Sequence, residues 1–177
     1  METLLKSIAV TILTIMSLGS AKAQDNSVGT SWSMSGIGIV YNRDVSPNTF
    51  ASVGVRMEML DTFIGREGVP GASATFMWNT VFKEIESANG TPVRFFAGPG
   101  MTIGFGNDFM AGPGVFFGLK GNIGLQLRFP RNVDISLKIA PTLGLHVSKS
   151  EEIKMMRLYR NGIIQIIIPE IGISYRF

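Results

Sequence analysis

The chain has 177 residues, with 16 Lys and Arg against 13 Asp and Glu, 45% hydrophobic side chains, 21 glycines and no cysteine. The missing cysteine excludes disulfides, thiolate metal sites, a cysteine nucleophile and a lipid-modified cysteine anchor. A formal net charge of +3 is too near zero to point to nucleic acid as a partner.

The leading segment has the layout of a secretory signal peptide. Lys6 supplies the basic start, Ile8 to Leu18 the apolar run, and Ala21-Lys22-Ala23 an A-x-A cleavage site. The expected division is a signal peptide over 1–23 and a single mature domain over 24–177. Without Lys6, Lys22 and Glu2, 14 basic and 12 acidic residues remain, a net of +2. No run of about 18 apolar residues follows, so no spanning helix is expected. In lipid the backbone must satisfy its own polar groups, which only helices and closed barrels achieve.

From Val28 onward the chain alternates with period two, the signature of half-buried strands. Val28, Trp32 and Met34 share one face of a first, weak stretch. Ile37, Ile39 and Tyr41 follow, and Arg43 to Asn48 reads as a turn through Pro47 and Asn48. Next come Val53, Val55 and Met57 against Ser52, Gly54, Arg56 and Glu58. A looser segment runs from Asp61 to Gly71. Beyond it Phe76, Trp78 and Phe82 oppose Thr75, Asn79 and Lys83, and Glu84 to Thr91 is a polar turn. The fifth strand sets Val93, Phe95, Met101, Ile103 and Phe105 against Arg94, Phe96 and four glycines that leave room inside. After a loop from Asn107 to Pro113, Phe117, Leu119, Ile123, Leu125 and Leu127 oppose Lys120, Asn122, Gln126 and Arg128. A short turn at Pro130 to Asn132 leads into Val133–Val147, with Asp134, Ser136, Lys138 and His146 on the polar side. A basic loop, Ser148 to Gly162, precedes the last strand, where Ile171, Ile173, Tyr175 and Phe177 oppose Glu170, Gly172, Ser174 and Arg176. Pro99, Pro141 and Pro169 fall inside strand patterns and imply a bulge or an unpaired position at each.

Strands of this length suit tilted membrane crossings better than soluble sandwiches. The polar faces carry mostly Gly, Ser, Thr and Asn, as the narrow interior of a small barrel requires. The expected fold is all-β: an antiparallel up-and-down transmembrane β-barrel of about eight strands. Seven strands are clear from Gly36 onward, and an even count is expected. The eighth is either Ser27–Met34 or Ile153–Tyr159. Loop lengths favour the former, which puts the short turns on the periplasmic side with both chain ends and makes Ser148–Gly162 an external loop.

The run Asn122 to Phe129, the short turn after it and the Tyr175-Arg176-Phe177 end resemble the small bacterial outer-membrane barrels, the outer membrane protein A membrane domain and the outer membrane protein X class. The resemblance implies the outer membrane of a Gram-negative cell, lipopolysaccharide and outer-membrane lipids as neighbours, and a monomer without cofactor or metal. It further implies an aromatic C-terminal strand, through Ile173, Tyr175 and Phe177, that the barrel-assembly machinery reads.

Inward charges fall in two sets. Arg56, Glu58, Lys120, Lys138 and Glu170 lie near the middle, and Lys83, Arg94, Arg128, Asp134 and Arg176 nearer the periplasmic rim. Buried charges must pair, so Arg56, Glu58, Lys138 and Glu170 are expected to form a plug of salt bridges. Basic groups outnumber acidic ones seven to three in these sets, which leaves a narrow anion-favouring pore as an alternative. His146 and Ser148, two apart, share a face, so an imidazole could activate the hydroxyl. The pair resembles the His-x-Ser of lipid A 3-O-deacylase, a barrel enzyme. That motif continues with Asn, whereas Lys149 follows here, and His146 has lumen parity. The expectation is a non-enzymatic barrel, with lipid modification by His146 and Ser148 as the alternative.

Overall fold

A computed structural model describes residues 26–65, 70–108, 112–149 and 154–177. The expected signal peptide lies outside them. Ten strands are present: β1 (Asn26–Ser33), β2 (Gly36–Ser46), β3 (Thr49–Glu58), β4 (Gly71–Glu86), β5 (Pro92–Asp108), β6 (Gly112–Arg128), β7 (Val133–Ile139), β8 (Thr142–Lys149), β9 (Lys154–Leu158) and β10 (Glu170–Arg176). Among the described residues the helical turns are α1 (Leu60–Phe63) and α2 (Arg160–Ile164), the latter continued by a 3-10 turn at Gln165–Ile167.

The ten strands make eight staves of one closed antiparallel barrel. β1 to β6 are one stave each. β7 and β8 form the seventh, because Ile139 pairs with Ile123 and Thr142 with Lys120 in unbroken register on β6. Pro141 interrupts it, as the missing amide of a proline dictates. β9 and β10 form the eighth, with α2 and its 3-10 continuation between them. β10 closes the ring against β1, from Ser27 opposite Arg176 to Trp32 opposite Ile171. The N-terminal stretch is therefore a full stave, as loop lengths implied. Residues 154–158, expected to lie in an external loop, are strand as well: they are the upper half of the last stave and pair with β8.

Alternation sorts the side chains as the period of two requires. Ile39, Ile103, Leu119, Leu143 and Ile173 are exposed on the outer wall, and Ser27, Ser31, Thr102, Asn122 and Gln126 are buried in the interior. An apolar exterior around a polar interior is the inverse of a soluble fold and belongs to a barrel that spans a membrane. Among the described residues, no helix is long and apolar enough to cross one.

Two departures from simple alternation move charged groups. A bulge between Val81 and Lys83 shifts the β4–β5 register, so Val81 pairs with inward Phe96 but Lys83 with outward Phe95. Lys83, expected to face inward, is exposed. β2 runs four residues beyond its expected end, so Asp44 is not a turn residue but pairs with inward Phe50. The turn between β6 and β7 is tight. Phe129 N donates to Val133 O at 2.9 Å, with Asn132 in the left-handed region (φ 59°) that Asn tolerates.

Candidate functional site

The interior is filled in three tiers. In the middle, Glu170 opens β10 opposite Lys138 of β7. That register brings Lys138 Nζ to 2.9 Å from Glu170 Oε1. Arg56 reaches across the lumen from β3, and its Nη1 lies 2.8 Å from Glu170 Oε2. Arg56 Nη2 also donates to Ser33 Oγ on β1. One carboxylate thus ties three staves that are not all neighbours. Of the four residues expected to form this plug, Arg56, Lys138 and Glu170 come together. Glu58 stands apart: its Oε1 accepts from Ser73 Oγ at 2.6 Å, and it has no cation within 4 Å among the described residues. Lys120 is buried beside the group without a carboxylate within 4 Å among the described residues.

The second tier lies at the end where β1 begins and β10 finishes. Arg128 Nη2 donates to Asp44 Oδ2 at 2.7 Å, and Arg176 Nε lies 3.0 Å from Asp134 Oδ1. Gln126 Nε2 donates to Asp134 Oδ2 at 3.0 Å. Arg94, only 2% exposed, donates to Pro47 O at 3.0 Å and lies 3.7 Å from both Asp44 and Glu84. Beside it Phe50 and Phe96 meet edge to face at 5.3 Å, with Val81 completing the cluster. Asp44 and Glu84 escaped notice in the sequence because both were assigned to turns. Asp44 keeps the parity of inward Asn42, and extending that strand would have found it. Glu84 keeps no such parity, since the bulge reverses it.

The third tier closes the loop end. Tyr159 enters the interior and stacks on Phe116 at 4.3 Å, nearly parallel, with the His146 ring 6.3 Å away. Asn161 N donates to Asp108 Oδ1 at 2.9 Å, and its amide donates to Asn107 O at 3.0 Å and to Asp61 Oδ2 at 3.4 Å. These contacts pin α2 to β5 and α1. Asn161 and Gly162 fall at the end of the stretch expected to be an external loop, and nothing there indicated that it turns inward.

His146 is completely buried. Nε2 lies 3.2 Å from Gly106 O, a carbonyl, so Nε2 carries the proton and Nδ1 is left without a hydrogen-bond partner. Neither nitrogen bonds Ser148, which is buried two rungs further along β8. A Cβ on Gly114 would lie 2.7 Å from Cε1 of the ring, so only glycine leaves the imidazole its place.

The interior also holds two cavities of about 50 and 30 Å³. The balance of inward charge differs from the one read along the chain. Lys83 leaves it and Asp44 and Glu84 join it, so Arg56, Arg94, Lys120, Arg128, Lys138 and Arg176 face Asp44, Glu58, Glu84, Asp134 and Glu170. In the middle and terminal tiers the cation excess behind an anion-favouring pore shrinks to one, and buried Asp61 and Asp108 add two carboxylates at the loop end. Among the described residues no cluster of metal-ligating side chains is found.

No protein-family model and no curated protein matches the chain. Solved structures similar to it include bacterial β-barrel and outer-membrane proteins. The N-terminal β-barrel domain of Pseudomonas aeruginosa OprF is 10% identical, with 88% of this chain and 100% of that one covered and a TM-score of 0.49. A major outer membrane protein of Thermus thermophilus is 13% identical, covering 86% and 98%, with a TM-score of 0.47. The outer membrane protein Ail of Yersinia pestis, in a phospholipid bilayer nanodisc, is 16% identical, covering 86% and 97%, with a TM-score of 0.41. The chain's own ladders, closed from β1 to β10 around a polar interior, make it a small transmembrane β-barrel of eight staves.

Proposed function

We propose that the protein is a non-enzymatic barrel of a Gram-negative outer membrane, secreted through its leading segment and acting through its exposed surfaces rather than through its lumen. The observation that carries this reading is the filled interior. Ion pairs cross the lumen at Glu170, the Phe116–Tyr159 stack stands above them, and the cavities between hold a few waters at most. A conducting path would need the middle tier to open.

The environment of His146 supports the same reading against lipid modification. Its Nε2 is taken by a backbone carbonyl and its ring is wedged beside Tyr159, so it does not activate Ser148. The loop end, where external chain meets lipopolysaccharide, is the surface left for contact, and Arg157 and Arg160 stand exposed there. The terminal end faces the periplasm. Ile173, Tyr175 and Phe177 line the outer face of the closing strand, where assembly machinery would read them.

Planar-bilayer recordings test the lumen. A silent membrane is expected, and steady single-channel conductance would overturn the plugged reading. Lipid A mass spectrometry of cells carrying His146→Ala should match that of cells with the intact protein. For assembly, deletion of Phe177 should leave refolding in detergent intact and sharply reduce the inserted fraction in cells; normal insertion would refute the role given to that end.

A further inference from the structure

The terminal tier balances: Arg94, Arg128 and Arg176 stand against Asp44, Glu84 and Asp134. The middle tier does not. Arg56, Lys120 and Lys138 stand against Glu170 and, bound to Ser73, Glu58. Lys138 and Arg56 share Glu170, which leaves the Lys120 ammonium as the uncompensated charge among the described residues. It is 8% exposed. Glu170 and Glu58 are the carboxylates that act on it, and neither comes within 4 Å. A lone buried charge is costly, so this one calls for a counter-charge.

Lys120 lines the larger internal cavity, of about 50 Å³, together with Arg56, Lys138, Glu170, Ser52 and Asn122. About 10–15 Å³ of such space admits one water, so the cavity has room for a small ion with a companion water. Ser52 Oγ accepts from Asn79 Nδ2 at 3.0 Å, which leaves its own proton to donate. From these observations we infer that the cavity is an anion site, holding one small monovalent ion such as chloride against the Lys120 ammonium.

The ion completes the barrel's interior. It neutralises the cation that no described carboxylate reaches, and it fills the space beside the Glu170 ion pairs. A divalent or bulky anion would not fit, since one charge balances the tier and the cavity is small.

The test is crystallography of the refolded barrel in sodium bromide, with anomalous data. A bromide peak in contact with Lys120 Nζ is expected. Water-only density at that position, together with equal urea-unfolding midpoints in sodium chloride and sodium gluconate, would overturn the proposal. In solution, a halide concentration ten times its dissociation constant should raise the folded-to-unfolded ratio roughly tenfold over gluconate at equal ionic strength. Lys120→Met should abolish both the peak and the halide effect, and Lys120→Arg should retain them. A halide effect that persists in Lys120→Met would show that the ion binds elsewhere and sink the assignment. If Lys120→Met does not refold, the bromide map of the unaltered protein decides alone.

Discussion

Two sides of this barrel are held by different forces. β5 and β6 pair without interruption from Val93 opposite Leu127 to Asp108 opposite Gly112, sixteen rungs of backbone ladder. The closing strand β10 has six rungs on each side, to β1 and to β7. Above it, eleven residues, 159–169, span what six residues, 139–144, span on the neighbouring stave. The excess is wound into helical turns whose Asn161, Gly162 and Gln165 are buried and whose Ile163, Ile166 and Ile167 lie outside. Where backbone pairing is short, side chains take its place: Glu170 binds both Lys138 and Arg56, and Thr142 Oγ1 donates to Gln165 Oε1 at 3.4 Å. A barrel tolerates a broken stave when its interior supplies cross-lumen bonds.

The largest expected effect breaks that substitution directly. Glu170→Ala leaves buried Arg56 and half-buried Lys138 without their partner and should cost about 3–5 kcal/mol in urea unfolding. On the continuous side, Thr102→Ala removes a hydroxyl that donates to Ala74 O at 3.1 Å and lies 3.3 Å from Thr75 Oγ1, and should cost about 0.5–1.5 kcal/mol. Equal losses would erase the distinction between the two sides. Next in size is depth. Leu119 of β6 and Ile163 of α2 line the same outward cleft, so Leu119→Arg and Ile163→Arg should each cost about 2–4 kcal/mol in bilayers, as charge near the midplane does. A free Ile163→Arg would place the helical turns outside the hydrocarbon.

Amide hydrogen exchange sharpens the same contrast without a mutation. Amides of 159–169 should exchange well before those of β5 and β6, because they open without breaking a ladder. Smallest of all is Lys83→Ala. The bulge has turned Lys83 out of the interior, so its loss should stay within about 0.5 kcal/mol. A large loss would mean that Lys83 joins the Arg94 tier after all.

Most of the architecture was legible along the chain because a strand's period is two and a membrane barrel obeys it on every stave. Exposed Ile171, Ile173, Tyr175 and Phe177 and buried Glu170 follow from parity alone. So does the lumen position of His146. The candidate site was legible only where parity holds. At Val81–Lys83 one extra residue reverses it, which exchanged Lys83 for Glu84. Tyr159 and Asn161 belong to no alternating run, so nothing local announced that they fill the loop end.

By itself the sequence determined which side chains face lipid and which face inward wherever parity is unbroken, that Pro141 would interrupt its stave, and that Lys138 would meet Glu170 if their strands paired. Each of these depends on neighbours along one strand or across one rung. Tertiary structure alone decided that Arg56 rather than Glu58 reaches Glu170, that Lys120 has no described carboxylate at hand, and that Tyr159 lies against Phe116. Those contacts cross the lumen between staves far apart in the ring. They are set by closure and stagger of the whole barrel, which no local pattern encodes.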